Sequence, residues 1–333
     1  MLGMRLDRKD EYNHPLGPEP NFNESVYWNG WDPDQAAGGW MRIGNRANEG
    51  YAEMSLCLHL PNGKVAFMYK RPRISTNESF SAGDLTYEVL EPFQSFRTKY
   101  SGEVLLLSDP KMLLDPSKAF KENSLVPCEL NWELRGVSPM HGGEPTDPSI
   151  EPLYGRDFSR GHFNQHTTVS GHMHIGEDRI NLRAFGWRDH SWGPRYWQNN
   201  LWHRLLVANF DAKAGMMVIK VRHKDGRIRR VGCFWKDGAY HEVKDLDVVT
   251  EWTDDKMQKL THLTIRTDAG VEELTGEPIS LVPLRNRRKI DDAIVETRIT
   301  EAMTRWSWNN QSCLGFSEYL DLIQDGELLG YPS

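Results

Sequence analysis

From about residue 50 onward, apolar and polar positions alternate with the two-residue period of half-buried strands. Met54, Leu56, Leu58 and Leu60 alternate with Ser55, Cys57 and His59. Pro61-Asn62-Gly63 then turns the chain into Val65–Tyr69, a hairpin signature. Leu85–Leu90, Phe93–Tyr100, Val104–Leu107 and Cys128–Leu134 predict further strands, with Ser101-Gly102 as a turn. Lys111–Glu122 is expected to be a short helix or irregular connection interrupted by Pro116. The Pro- and Gly-rich stretch 138–161 predicts a long loop. Strands resume at His166–His174, broken by Gly171, and at Asn181–Phe185. Leu205–Phe210 pairs plausibly with Met216–Arg222, and Arg229–Trp235, His262–Arg266, Val271–Gly276, Ala293–Trp308 and Phe316–Ile323 follow. Residues 1–50, rich in Pro, Gly and Asn, are expected to form loop and extended arm, anchored by Tyr27, Trp28, Trp31 and Trp40.

Repeated hairpins without βαβ alternation predict an all-β fold of antiparallel barrels or sandwiches. A length of 333 residues suits two domains, expected at 1–195, with the extended N-terminal arm, and 196–333. The net charge of −7 argues against a nucleic-acid surface. The basic runs 227–230 and 285–289 are flanked by acids and read as solvated strand ends. Four scattered cysteines, Cys57, Cys128, Cys233 and Cys313, make no CxxC or CxxH motif. With no signal-like start and no stretch near the roughly 18 apolar residues of a membrane span, a cytoplasmic protein with free thiols is expected. No phosphate-binding loop, dinucleotide fingerprint, serine elbow or zinc-protease motif is present.

Chemistry concentrates in residues 186–197, GWRDHSWGPRYW. On a strand, Arg188, His190 and Trp192 would face one way, and Asp189 and Ser191 the other. His190 and Asp189 are the catalytic candidates, because an imidazole held in an aromatic pocket by a carboxylate can exchange a proton near neutral pH. Arg188 or Arg195 would keep Asp189 ionised or bind a polar substrate group. Trp192 and Trp187 would line the site, with Tyr196 and His166 as further candidates. Trp197 and Trp202 continue a five-residue Trp spacing, whose members cannot all face one ligand. The plain structural reading is that the cluster rivets the fold together.

The run RDHSWGPR resembles the signature of the hydroxyneurosporene synthase (carotenoid 1,2-hydratase) and AttH-like superfamily, whose hydratases carry an HDHNWG version. Val295–Glu301 and Gly315–Leu320 also resemble that group, and some fungal Diels–Alderases look like more distant relatives. The resemblance implies two lipocalin-like domains meeting at a shared pocket. Asp189, His190, Trp192 and Gly193 match the pattern, while Arg188 replaces its first His and Ser191 its Asn. The Tyr-x-Asp pair the hydratases are thought to use is missing between 205 and 225, where only the turn residue Asp211 lies nearby. A substrate other than a carotenoid is therefore expected.

An ionisable cluster in an aromatic cavity suits a cofactor-independent hydratase, dehydratase, isomerase or cyclase. Its partner would be a hydrophobic small molecule of terpenoid, steroid or polyketide-like character; the reading leaves room for a homodimer. Three alternatives stay open. A non-catalytic lipophile carrier needs the pocket but not the acid–base cluster. A metal enzyme could use some of His162, His166, His172, His174, His190 and His203, but no carboxylate at a convincing spacing accompanies them, so no metal is expected. A carbohydrate-active enzyme would need two facing carboxyls about 5–10 Å apart, with Glu296, Glu301 and Glu318 as candidates.

Overall fold

The computed structural model describes residues 3–156, 158–196, 200–290 and 293–332. Two compact units emerge, one of residues 1–107 and 123–197, the other of 108–122 and 198–333. Each is built on one large antiparallel sheet. The all-β, two-barrel expectation therefore holds.

In the first unit the sheet closes on itself. The ring runs through strands Gly161–Ile175, Asp178–Pro194, Phe22–Asp32, Ala37–Arg46, Tyr51–His59, Val65–Lys70, Ser95–Leu107 and Leu125–Gly136. The last strand pairs back onto the first, Val169 opposite Leu134. Closure removes exposed strand edges and leaves an interior filled by side chains. That core includes Val26, Trp28, Met41, Leu56, Phe96 and Trp132, all buried.

In the second unit the two ends of the sheet approach each other. The Val243 N–H donates to the Gly232 carbonyl at 3.0 Å, and Arg230 Nε donates to the Leu246 carbonyl at 3.1 Å. Its core gathers Leu206, Val218, Phe234, Leu263, Trp306 and Tyr319. The basic runs behave as expected at strand ends: Arg227 pairs with Asp225, and Arg285 and Arg287 pair with Glu296.

Several sequence expectations need correction. Residues 22–46 are not a loop but two central strands, Phe22–Asp32 and Ala37–Arg46. Nearly every residue there is buried on either face, so buried polar groups on one side mask the alternation that marks a half-buried strand. Glycine misleads too: a Cβ on Gly39 would lie 2.3 Å from the Cys57 carbonyl oxygen, so this glycine permits close strand approach rather than a turn. Ser101-Gly102 makes no turn, because Ser95–Leu107 runs straight through it, paired with Glu129 and Cys128. Gly171 likewise lies within the unbroken strand Gly161–Ile175. Segment 138–161 contains the strand His141–Pro145. Pro116 opens the helix Pro116–Glu122 instead of interrupting one, since the first helical position needs no amide hydrogen.

Candidate active site

The motif lies on the long strand Asp178–Pro194, between Gly161–Ile175 and Phe22–Asp32. The strand ends at Gly193-Pro194. Gly193 has φ +119, and a Cβ there would meet the Arg160 backbone nitrogen at 2.6 Å. Strand alternation then divides the motif's chemistry between two faces.

Arg188, His190 and Trp192 share one face. The Arg188 guanidinium grips the Glu11 carboxylate with two hydrogen bonds of 2.7 and 2.8 Å, and its Nε donates to Gln165 Oε1 at 2.9 Å. It stacks over the Phe96 ring at 3.8 Å. Burial would lower its proton affinity, but Glu11 and Tyr87 together outweigh this and raise it. The neighbouring position carries a carboxylate–imidazole cluster. Glu24 Oε1 lies 2.8 Å from His190 Nε2 and 2.7 Å from His14 Nδ1. Burial pushes the Glu24 carboxyl up, yet the hydrogen bonds from His14 and His190 prevail and hold it below its usual value. Phe80, Phe163 and Trp192 surround His190 edge-on, and Trp192 stacks on His14 at 4.0 Å. The aromatic cage expected around His190 is present, but it is closed: the side chains of His190 and Glu24 are both 0% exposed.

Trp187, Asp189 and Ser191 share the opposite face. Asp189 sits in register with Tyr27 on one side and Asn164 on the other. Its carboxylate is 16% exposed and lies 3.5 Å from Nε2 of the buried His162, an ion-pair contact longer than a good hydrogen bond. Burial lowers the His162 proton affinity, with Asp189 partly offsetting it. The ring of Tyr154 packs against His162 at 4.1 Å. Tyr27 stands between Trp40 and Trp187, at ring distances of 6.2 and 5.8 Å. Ser191 Oγ lies 3.1 Å from Ser25 Oγ and accepts from Arg195 at 2.7 Å. Arg195 lies over the Phe158 ring at 4.0 Å; burial, then repulsion from Arg42 and Arg46, drives its proton affinity down.

The expected arrangement is thus split. Asp189 does not back His190, since neighbouring residues on a strand point apart, and its imidazole partner is His162. Arg188 does not hold Asp189; it is committed to Glu11. Trp187 joins the Asp189 face, whereas Trp192 belongs to the sealed one. His166 is buried on the Asp189 face, with its backbone amide donating to Ser138 Oγ. Tyr196 is exposed just past the strand end. Trp202 lies in the second unit, and Trp197 falls outside the described residues. Glu11, His14 and Glu24 escaped the sequence reading, and His162 was no more than one of six clustered histidines. Glu24 carried a usable signal: it shares parity with the core residues Val26 and Trp28, an acid on an apolar stripe.

Elsewhere, His172 and His174 stand side by side, ring centres 5.0 Å apart, both half-buried. Glu301 faces Glu318 across adjacent strands of the second unit, and Glu318 pairs with His203 at 2.6 Å. An open groove of about 650 Å³, lined in part by His262, Glu273, Thr275, Trp308 and Gln311, also lies in that unit and takes nothing from the motif.

Two buried histidines make stability pH-dependent. Burial pushes the His59 imidazole down to about 3, and His162 is lowered in the same sense. An unfolded histidine binds its proton near 6.5, so the stability from a histidine kept neutral is complete above that value and lost as pH falls below it. The unfolding free energy should fall between pH 7 and 5, by about 2 kcal/mol from His59 alone. Urea midpoints across that range would test this, and a flat profile would contradict it.

Two large antiparallel sheets, with a charged motif on a central strand of the first, make a fold shared with several solved structures. An AttH candidate from Nitrosomonas europaea (NE1406) superposes with a TM-score of 0.62 at 15% identity, covering 98% of each chain. CghA, in a structure with Sch210972, gives 0.59 at 10% identity over 96% of each chain. Kievitone hydratase from Nectria haematococca gives 0.52 at 6%, covering 91% of this chain and 89% of that one. At these identities the likeness is one of fold. Among curated proteins, none matches the sequence. Residues 7–323 match the model of a domain family of unknown function, DUF7064, and the chain belongs to that family. Among the described residues, no helix is long and apolar enough to cross a membrane.

Proposed function

We propose that the protein is an acid/base enzyme of the hydratase, dehydratase, isomerase or cyclase kind, acting on a hydrophobic terpenoid, steroid or polyketide-like substrate. Asp189 and His162 would handle the proton. The observation that carries this reading is accessibility: Asp189 is the motif's one carboxylate and retains 16% exposure beside a buried imidazole, whereas His190 and Glu24 have none. A proton donor or acceptor must reach the reacting atom.

Near neutral pH the lowered proton affinity of His162 leaves its ring neutral and able to accept. A proton taken from a substrate C–H or O–H can rest on this pair and return at another atom. That is the step shared by alkene hydration, its reverse, double-bond migration and acid-assisted ring closure, and it needs no redox cofactor. Tyr27, half-buried and backed by the buried rings of Trp40 and Trp187, would offer its face to a planar apolar substrate or a developing cation. Arg195 would meet a polar or anionic substituent. One fold relative is by name a hydratase, and another was crystallised with Sch210972; both fit the reaction class without naming this substrate.

Native mass spectrometry of the purified protein, followed by extraction of any lipophile travelling with it, tests the proposal. We expect such a molecule, or one from a terpenoid, steroid and polyketide panel, to be bound and then gain or lose water or isomerise. Binding with release of unchanged ligand would favour a carrier. No affinity across the panel would overturn the substrate class.

A further inference from the structure

The cluster around Glu24 has the composition of a metal site. His14 Nδ1, Glu24 Oε1 and His190 Nε2 lie within 4.8 Å of one another. They come from the N-terminal arm and two neighbouring strands, 176 residues apart at the extremes, so only the fold assembles them. We propose that this site binds one divalent transition ion of the zinc class, which clamps the N-terminal arm to the barrel.

The surroundings of His14 and Glu24 match what metal ligands require. A ligating histidine usually donates its other ring N–H to a carboxylate, fixing the tautomer. His14 Nε2 lies 3.4 Å from Asp10 Oδ1, and Asp10 is itself buried. Glu24 Oε2 is held separately, accepting from the His14 backbone N–H at 2.8 Å and from Asn77 Nδ2 at 2.5 Å. Oε1 is thereby left aimed between the two imidazoles. His14 Nε2 is buried and makes no hydrogen bond. An ion accepting the Nδ1 lone pair frees Nε2–H for Asp10. Ligand atoms around tetrahedral zinc stand about 3.3 Å apart. The present contacts of 2.7 and 2.8 Å need open by only about half an ångström to reach it. Two imidazoles and one carboxylate suit such an ion, with a water expected to complete its fourth position. The inference is independent of the Asp189–His162 assignment, which lies on the other face of the strand.

The test is metal content. Full-length protein prepared without a histidine tag is stripped with chelator, then given zinc or cobalt, and bound metal is counted by plasma mass spectrometry. We expect one ion per chain, a rise in melting temperature on zinc addition, and visible absorption with cobalt. Glu24→Gln and His14→Ala should abolish binding; His14 lies on the partly exposed arm, so its variant keeps the test valid if Glu24→Gln fails to fold. Asp10→Asn should weaken binding about 10- to 100-fold. A His172→Ala/His174→Ala variant should bind as before. Absence of both bound zinc and a thermal shift in the stripped protein given zinc would overturn the proposal, as would loss of the ion in the His172/His174 variant.

Discussion

Asp189→Asn should lower turnover by roughly 10²–10⁴-fold, the usual contribution of a positioned acid or base, while leaving the melting temperature almost unchanged. The substitution keeps size and shape, and the one ion-pair contact recorded for this carboxylate is the 3.5 Å approach to His162. Little folding energy rides on so long and partly exposed a contact. His162→Gln should lower turnover comparably, but with some loss of stability, because its ring is packed under Tyr154. His190→Gln is the counter-experiment. His190 is wholly buried against Phe80, Phe163 and Glu24, so its replacement should act on folding first. Should a well-folded His190→Gln protein lose turnover while Asp189→Asn keeps it, the roles of the two faces would be exchanged.

Arg188→Met should destabilise the first unit by about 3–5 kcal/mol, the typical cost of stranding one partner of a buried ion pair. Both Arg188 and Glu11 are buried, at 1% and 0% side-chain exposure, and the pair is bidentate. Without the guanidinium, Glu11 must remain charged in an apolar site or take up a proton. For a unit of this size the melting temperature should fall by roughly 6–20 °C. Removing both charges in Arg188→Met/Glu11→Gln should recover much of the loss, since well-packed neutral residues often replace a buried pair at little cost. Thermal denaturation of the single and double variants forms a coupling cycle. A single variant as stable as the parent would show that the pair does not hold the N-terminal arm in place.

Hairpins such as Leu56 opposite Met68 and Leu205 opposite Ile219 were readable in advance because local signals fix them. Alternation sets the faces and the turn sets the register. The strands Phe22–Asp32 and Ala37–Arg46 were not, since both of their faces are buried and their polar residues find partners far along the chain. A similar limit applied to the motif. Its residues and its two-faced geometry followed from strand periodicity alone, but the partners of each face did not.

The amino-acid sequence by itself determined that this chain is all-β, that arginines, an acid, a histidine and tryptophans crowd into residues 186–197, and that Arg188 and His190 face away from Asp189. These properties depend on period, turn residues and local composition, which act over a few neighbouring positions. Only the tertiary structure decided that Glu11 neutralises Arg188, that Glu24 and His14 engage His190, and that Asp189 answers to His162. The Asp189–His162 contact comes from the hairpin of Gly161–Ile175 and Asp178–Pro194, whereas the others bring the N-terminal arm and Phe22–Asp32 onto a strand up to 177 residues away. Burial then made the final distinction, sealing His190 and Glu24 on one face of the motif while leaving the Asp189 side chain partly exposed on the other.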